Sequence, residues 1–418
     1  MSIIKIIKEK GFTGCVKAVN SKLIIEPYNR ALFKKYSADS IDSNSIVLES
    51  EGDCSDNAYA LFDYMKQNGY LQRYHVTWLV DCPENFHEEA NVKYVRKNTH
   101  DKLSKDTIKA LATCRWYVYD HCNILAHFKK RDGQSMSYLC HGYAGFKAAK
   151  GGGVFDADEE FTTGEIPYQG LVDLHGQEAP KYILGFPRLD YFADYQSKYS
   201  QIAELIVEKP KFKKVFLWMP TFRQSHNKSI SEDYFTSETG LPLFDSYDSL
   251  RQMNDYLLKL DIKIVLKIHH LQSDLACFKK RFSNIQFLRD EDLRSAGLQL
   301  YQFIPVFDAL ITDYSSIATD YLLLDKPIIF ILDDMEEYKK SRGLYPENPL
   351  IYMPGDHVYD VDQLKTAMEN VIAGEDQYRT ERNLLLPKFH TYRNGNASKR
   401  ILDHLGIVQE GGESGELS

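Results

Sequence analysis

Short apolar runs alternate with longer segments of helical periodicity from residue 45 onward. The apolar runs are rich in β-branched and aromatic residues, which is typical of strands. In the first half they predict strands at 45–49, 74–80, 92–95, 115–119, 136–140 and 182–184. A second series follows at 214–219, 263–268, 284–288, 309–312, 327–332 and 350–353. Helical patterns lie between them, notably at 56–68, 104–114, 246–260 and 316–324. This alternation predicts an α/β protein with parallel sheets.

Two series of strands predict two Rossmann-like domains, with a boundary near residues 199–210. The predicted organisation is an N-terminal segment, two domains and a tail, at 1–40, 41–205, 206–408 and 409–418. The tail is rich in Gly, Glu and Ser and is expected to fray. Ligands of open α/β sheets bind beyond the carboxyl ends of the strands, so we expect the chemistry in a cleft between the two domains.

The composition is that of a globular protein. Of the 418 residues, 43% are hydrophobic and 13% aromatic, which allows a sizeable core and excludes disorder for most of the chain. No apolar run approaches the ~18 residues that a membrane-spanning helix needs. The first ten residues alternate Ile with Lys, which argues against a secretory signal. The seven cysteines are scattered without a CxxC pair, as expected for reduced thiols on the cytoplasmic side.

The net charge of −8 is unevenly distributed. Residues 1–36 carry eight Lys and Arg side chains against two Glu, a local charge of +6, so the rest of the chain sums to −14. An acidic body argues against nucleic-acid binding, which depends on neutralising phosphates. The basic segment also contains several isoleucines and has two interpretations: contact with an anionic membrane surface, or an amphipathic helix packed on its own domain.

The most informative motif follows the predicted strand at 309–312. Thr312 and Asp313 lead into Ser315 or Ser316, either of which would cap a helix whose free N–H groups attract anions. Phosphate oxygens suit such a place. Because Asp and Ser are also favoured at ordinary helix caps, this motif alone leaves both interpretations open.

Histidines follow two other predicted strands. Lys267, His269 and His270 close a strand of the second half, where a histidine can contact phosphate or donate a proton. Neither Cys nor His lies nearby at metal-ligand spacing, so zinc is the weaker interpretation. His141 follows a strand of the first half, with Lys147 nearby, and is a candidate general base. The alternative is a loop histidine that only caps backbone groups.

Arginines lie in the turns after two further strands. Arg188 and Asp190 follow the last strand of the first half, and Arg223 follows the first strand of the second half. Arginine suits bidentate recognition of phosphate, and ordinary surface arginines are the alternative. The sequence contains neither GxxxxGK[ST] nor GxGxxG, the usual phosphate cradles of ATPases and dehydrogenases.

Together these motifs resemble the CDP-glycerol glycerophosphotransferase family of teichoic-acid and capsule polymer synthesis. Six motifs stand in the family's order: "HG" at 141–142 with Lys147, "GFPRLDYF" (185–192), "MPTFR" (219–223), "LKIH" (266–269), "ITDYSSIATDYLLLDKPIIF" (311–330) and "YRNGNASKR" (392–400). The resemblance implies the GT-B architecture, in which two Rossmann-like domains face a central cleft. The first domain would bind the acceptor and the second the CDP-alditol.

The resemblance also implies roles for individual residues. His141 would be the base that activates the acceptor hydroxyl, and His269 would contact the pyrophosphate and assist departure of CMP. Ser315 and Ser316 match the family's phosphate-binding pair. The other residues implied in substrate binding are Asp320, Arg223, Lys267, Lys147, Arg188 and Thr312. Two departures bear on donor or acceptor choice: His269-His270 replaces the usual His-Pro, and "RNGNAS" replaces Asp-Gly-Lys/Arg-Ala-Ser.

The implied reaction is attack by an acceptor hydroxyl on the β-phosphate of a CDP-alditol, with release of CMP. The alditol would be glycerol, with ribitol as the variant, and the acceptor a cell-surface glycan or a lipid-linked chain at the inner face of the cell membrane. A divalent cation such as Mg²⁺ is compatible with the diphosphate. Two alternatives stay open: a GT-B glycosyltransferase that uses a nucleotide sugar, and a non-catalytic nucleotide-binding or scaffold module. The presence of both histidines favours an enzyme.

Overall fold

The computed structural model describes residues 19–99, 102–121, 123–143, 145–148, 156–221, 223, 237–268 and 276–409. These residues form two large sheets, one of seven strands and one of six. Every pairing within each large sheet is parallel, and helices connect the strands. The prediction of an α/β chain with two parallel sheets is therefore confirmed.

The first half of the chain builds the seven-stranded sheet. The strands of this half are β1 Asp42–Glu49, β2 His75–Val80, β3 Val92–Arg96, β4 Asn98–Thr99, β5 Lys102–Leu103, β6 Cys114–Tyr119, β7 Ser135–Tyr138, β8 Phe146–Lys147, β9 Glu159–Thr162 and β10 Lys181–Ile183. Strands β4, β5 and β8 lie outside the seven-stranded sheet. The helices of this half are α1 Glu26–Tyr36, α2 Asp56–Gln67, α3 Lys105–Thr113, α4 Glu165–His175, α5 Asp190–Lys198 and α6 Ser200–Val207. The strand order is β10-β9-β7-β6-β1-β2-β3, so the chain begins inside the sheet and winds to both edges.

The second half builds the six-stranded sheet. Its strands are β11 Lys214–Met219, β12 Ile262–Lys267, β13 Ile285–Leu288, β14 Ala309–Thr312, β15 Ile328–Ile331, β16 Leu344–Tyr345 and β17 Asp356–Val358. Its helices are α7 Tyr247–Leu260, α8 Asp290–Ser295, α9 Leu300–Phe303, α10 Ile317–Tyr321, α11 Met335–Ser341, α12 Val361–Ala373, α13 Arg379–Phe389 and α14 Ala397–His404. The order β13-β12-β11-β14-β15-β17 places β11 and β14 side by side in the centre.

The strand predictions differ from the structure in both large sheets. The apolar run at 350–353 is wrong as a strand: it lies in a 3₁₀ turn, Pro349–Tyr352, because Pro349 fixes the backbone and Asn348 caps the turn through Leu350 N–H (3.3 Å). The sheet continues instead with β17. Strand β9 is missed because it begins with two glutamates. The buried Glu160 is tolerated there because Lys181 and His175 lie 3.0 and 2.6 Å from its carboxylate oxygens.

Two contacts tie the halves together away from the large sheets. Strands β8 and β16 pair antiparallel, which places Lys147 opposite Leu344 across the halves. Helix α14 lies against the first sheet, where Ile401 and Leu402 join the core formed by the first half. The sequence predicts one domain over residues 206–408. In the structure the last helix of that range, α14, packs on the first half.

The basic N-terminal segment is partly described. Helix α1 packs on α3, and Phe33 stacks on Phe128 with ring centroids 4.4 Å apart. Residues 1–18 of the segment lie outside the described residues. No helix in the described part of the chain is long and apolar enough to cross a membrane.

Candidate active site

His141 lies where β7 ends, on the first-half wall of the cleft. Its Nδ1 lies 3.2 Å from the carbonyl oxygen of Asp120 and 2.9 Å from the Tyr138 hydroxyl. Because a carbonyl oxygen can only accept, Nδ1 carries the ring hydrogen of the neutral imidazole. Nε2 then holds the lone pair, and no described residue hydrogen-bonds with it. This is the tautomer that a general base needs.

The surroundings of His141 keep the ring neutral. The side chain is reached by solvent, yet the enclosing protein desolvates the ring and lowers its pKa. The neighbouring His121, whose ring centroid lies 5.0 Å away, lowers the pKa further by charge repulsion. A histidine that stays neutral at physiological pH can accept a proton.

The second-half wall is built where β14 ends. The strand is fully buried and stops at Asp313, which accepts hydrogen bonds from the backbone N–H (2.9 Å) and hydroxyl (3.0 Å) of Thr221. Ser315 and Ser316 follow at the start of α10, with partly exposed side chains. Ser316 occupies the N-cap position, but its hydroxyl forms no capping bond. Within the described chain neither serine hydroxyl has a hydrogen-bond partner, so both are open to a ligand.

The two walls meet at Gly142. Its φ is +145°, a conformation that favours glycine. A Cβ placed there would lie 2.6 Å from Ser316 Oγ and 3.4 Å from Nη2 of Arg188. The absent side chain lets the loop after β7 approach the start of α10, so the structure brings two separate sequence motifs to one gap.

Lys147 adds a positive charge to this region. It reaches solvent, and within the described residues its ammonium group forms no ion pair or hydrogen bond. Desolvation by the surrounding protein lowers its pKa, Asp313 opposes that shift, and Arg223 and Arg342 add to it. Among these charges Asp313 is the attractive one, and it directly follows the strand that leads into the serine pair.

Two residues expected at the substrate form contacts within the second half instead. Arg223 is fully buried and pairs with Asp313 at 2.8 Å and with Asp334. The hydroxyl of Thr312 donates to the Met219 carbonyl oxygen at 2.8 Å. These contacts fix the ends of β11 and β14. A direct contact of Arg223 or Thr312 with substrate stays a prediction.

Lys267 is similarly engaged at the end of β12. Its ammonium lies 2.9 Å from Asp290 and donates to the Ile268 carbonyl oxygen at 3.1 Å. His269 and His270, which follow directly, lie outside the described residues, so the role of His269 stays a prediction. Among the described residues no group of three or more His, Cys, Asp or Glu side chains is arranged to hold a metal ion.

Arg188 and Asp320 contact each other. Arg188 lies in the 3₁₀ turn Pro187–Leu189 and donates from Nη2 to Asp320 Oδ2 at 2.7 Å. The sequence places both residues among the substrate contacts, whereas the structure pairs them with each other and with Asp56 and Tyr301. Asp56 and Tyr301 were not expected at the site, and no motif in the sequence marks Tyr301.

Asp120 and Tyr138 are further site residues that the sequence reasoning missed. Asp120 directly follows β6, and its buried carboxylate accepts from the N–H groups of Glu51 and Ala58 at 3.2 and 2.9 Å. A polar residue directly after a buried strand was the available signal for Asp120. Tyr138 belongs to a predicted strand, and its hydroxyl lies 2.9 Å from Nδ1 of His141. Cys140, between them, has a φ of 59°, which a regular strand does not have.

Comparison with known proteins supports these motifs. The family model described as CDP-Glycerol:Poly(glycerophosphate) glycerophosphotransferase matches residues 174–406. A teichoic acid poly(ribitol-phosphate) polymerase of Bacillus spizizenii is 30% identical over 230 residues, 54% of this chain and 33% of the relative. A teichoic acid glycerol-phosphate primase of the same organism is 31% identical over 216 residues, 51% of this chain and 46% of the relative. The chain spans about a third to a half of the length of these relatives.

Solved structures share the fold. The wall teichoic acid polymerase TagF superposes with a TM-score of 0.72 at 20% identity, covering 97% of this chain and 98% of that one. Its H444N variant soaked with CDPG for 15 minutes gives a TM-score of 0.75 at 21% identity, with the same coverage. The predicted GT-B fold is thereby confirmed. Because the family model covers more than half of its residues, the chain belongs to the CDP-glycerol:poly(glycerophosphate) glycerophosphotransferase family.

Proposed function

We propose that the protein transfers an alditol phosphate from a CDP-alditol to a hydroxyl of an acceptor and releases CMP. Glycerol phosphate is the first expectation and ribitol phosphate the second, since relatives of both kinds match this chain. Family membership supports the donor class. The observation that carries the proposal is the approach of the loop bearing His141 to the serine pair, with Gly142 and Ser316 in near contact.

His141 acts as the general base in this reaction. Its Nε2 takes the proton of the acceptor hydroxyl while the oxygen forms a bond to the β-phosphorus of the donor. The bond from that phosphorus to the bridging oxygen breaks, and CMP leaves with the electron pair. The carbonyl of Asp120 holds Nδ1–H and stabilises the imidazolium that forms. A positioned base of this kind contributes about 10²–10⁴-fold to the rate.

Ser315, Ser316 and Lys147 stabilise the negative charge of the diphosphate in this reaction. The hydroxyls of Ser315 and Ser316 and the first N–H groups of α10 are directed donors, which are worth most where water is partly excluded. The free ammonium of Lys147 adds a full charge. His269 is proposed to protonate or hydrogen-bond the departing CMP, as the family resemblance implies.

The donor is tested with the purified chain and a set of nucleotides. CDP-glycerol, CDP-ribitol and UDP-sugars are each incubated with an acceptor analogue, with and without Mg²⁺, and release of CMP or UDP is measured. We expect CMP from a CDP-alditol only when acceptor is present. Release of UDP without CMP would instead show a glycosyltransferase, and tight binding without any release would show a non-catalytic module.

We further propose that the chain contacts an anionic membrane surface, where a lipid-linked teichoic-acid or capsule acceptor would lie. The segment before and within α1 exposes Leu23 by 71% and Ile24 by 55%, and the cations Lys22 and Arg30 of the same segment are also exposed. Apolar side chains beside basic ones suit the interface of an anionic bilayer. The opposite face of α1 packs on α3 and Phe128. The first domain therefore holds the exposed face of this segment in place.

A point change tests the membrane proposal better than a deletion, because Phe33 belongs to the core. Leu23→Glu with Ile24→Glu should reduce sedimentation with phosphatidylglycerol vesicles and leave transfer to a soluble acceptor intact. Leu205→Glu is the control, since Leu205 is 78% exposed on α6 and lies outside the basic segment. Equal vesicle binding by wild type and both variants would contradict the proposal.

A further inference from the structure

We propose that Arg188 is a positioning residue for phosphate transfer: it sets His141 against the start of α10, where the serine pair lies. The inference rests on the proposed function, because it assigns His141 and the serines to one reaction. It gives Arg188 a role that differs from substrate contact. Here the base loop denotes residues 140–143.

The first group of contacts reaches into the first half. Nη1 of Arg188 donates to the carboxylate oxygens of Asp56 at 2.7 and 2.9 Å and to the carbonyl oxygen of His141 at 2.9 Å. The base is therefore held at its own backbone. The backbone N–H of Arg188 also donates to Asn57 Oδ1 (3.1 Å), and Asn57 Nδ2 donates to the Cys140 carbonyl oxygen (2.8 Å). Both contacts fix the base loop from the same side.

The second group of contacts reaches into the second half. Nη2 of Arg188 donates to Asp320 Oδ2 at 2.7 Å, and the Tyr301 hydroxyl donates to the same oxygen at 2.6 Å. The guanidinium carbon lies 4.4 Å from the centre of the Tyr301 ring, a cation–π distance. Asp320 lies four residues after Ser316, one turn inside α10. Holding Asp320 therefore holds the helix start that carries the serine hydroxyls.

One rigid group thus spans both walls. A guanidinium is planar, stays charged at all accessible pH values and offers its donors in a fixed fork. Arg188 is only 3% exposed, so water does not compete for these bonds. The base loop therefore lies close to the start of α10. A Cβ at Gly142 would lie 3.4 Å from Nη2 of Arg188 and 2.6 Å from Ser316 Oγ. A lysine ammonium is a single point that cannot meet Asp56, the His141 carbonyl and Asp320 in the same fork geometry.

The chain offers a matched control in Arg382. It is 1% exposed and also pairs with two carboxylates, binding Asp376 through both terminal nitrogens and lying 3.7 Å from Asp325. All of these groups belong to the second half, and none touches the base loop. A change at Arg382 therefore reports the effect of disturbing a buried arginine pair that has no direct contact with the base loop.

The test compares Arg188→Lys with Arg382→Lys in the full chain. Single-turnover CMP release at saturating CDP-glycerol gives the rate, calorimetry gives the donor Kd, and thermal unfolding gives Tm. We expect Tm to fall in both variants. Only Arg188→Lys should slow release, by about 10²-fold, because misplacement by about 1 Å is enough for such a loss. The donor Kd should change little, since the Tyr301 hydroxyl still donates to Asp320 and holds the start of α10.

Other outcomes are equally decisive. Rates that fall alike in both variants, or a loss at Arg188→Lys that lies wholly in donor Kd, would overturn the positioning role. If Arg188→Lys does not fold, Asp56→Ala decides, because it removes both carboxylate oxygens that accept from Nη1 while keeping the arginine. A slower rate with unchanged Kd supports the proposal there, and an unchanged rate overturns it. Failure of the proposed function itself is seen separately, as a wild type that releases no CMP from any CDP-alditol.

Discussion

Arg188 and Arg223 come from neighbouring motifs and are both buried against two carboxylates, yet they connect different parts of the molecule. Arg223 pairs with Asp313 and Asp334, which both lie in the second half. Arg188 pairs with Asp56 from the first half and with a carboxylate from the second. The sequence predicts the same role for both arginines, a contact with phosphate.

The origin of the partners decides what each arginine does. An ion pair within one sheet fixes the ends of its own strands, so its loss appears in stability. A pair that spans two sheets also fixes their relative position, so its loss appears in a reaction that needs groups from both. Arg223 belongs to the first kind and Arg188 to the second. Rates of transfer and free energies of unfolding separate these two kinds of effect.

The largest effect is expected at His141, the group that Arg188 holds. His141→Ala should lower the rate of transfer by about 10²–10⁴-fold, because the base is removed. Donor Kd should hardly change, since the groups proposed to bind phosphate lie on the other wall and at Lys147. Single-turnover CMP release and calorimetry check the two parts. Full turnover in a folded variant would remove His141 from the mechanism.

The next effect is expected at Arg223 and concerns stability. Arg223→Met leaves the carboxylates of Asp313 and Asp334 buried without the positive charge of the arginine, which should lower the free energy of unfolding by about 3–5 kcal/mol. Urea unfolding followed by circular dichroism measures this. A variant as stable as wild type that binds CDP-glycerol poorly would contradict the comparison and return Arg223 to the substrate.

A smaller effect is expected at each serine. Ser315→Ala and Ser316→Ala should each weaken CDP-glycerol binding by about 1.5–3 kcal/mol, the usual contribution of a hydrogen bond to a charged group. The transfer rate at saturating donor should change less than in His141→Ala. Calorimetry on each variant checks this. Unchanged donor affinity in both would show that the open hydroxyls at α10 do not meet the phosphates.

The smallest effect is expected in the pH profile. Desolvation first, and the charge of His121 second, lower the pKa of His141. A base works when neutral, so transfer should persist below the ordinary histidine pKa of about 6.5 and fall at lower pH. His121→Gln removes one cause, so the acid limb should move to higher pH. An acid limb that stays in place or moves downward would contradict this assignment.

Much of the fold follows from local pattern. Buried parallel strands such as β12 and β14 are short, continuous apolar runs, which a sequence shows directly. Strand β9 cannot be predicted from local pattern, because its buried Glu160 is stabilised by Lys181 and His175, which lie elsewhere in the chain. Compensation of that kind depends on three-dimensional contact and leaves no local signal.

The candidate site also contains residues that local pattern predicts and residues that it does not. Residues at strand ends, such as His141 and Ser316, can be predicted as candidates because parallel strands place their carboxyl ends at one edge of a sheet. The role of Arg188 is hidden, because Asp56 and Asp320 each lie 132 residues away from it along the chain. Tyr301 carries no motif at all. Sequence therefore predicts which groups reach the cleft more readily than which groups hold them.

Whether Arg188 acts by placing His141 is measured by a double-mutant cycle between His141→Ala and Arg188→Lys, followed as single-turnover CMP release at saturating CDP-glycerol. If Arg188 acts by placing His141, it has little left to place once the imidazole is gone. The double variant should then be no slower than His141→Ala alone, a strongly non-additive result. A double variant slowed by the product of the two single losses would show that Arg188 acts independently of His141 and would contradict the account.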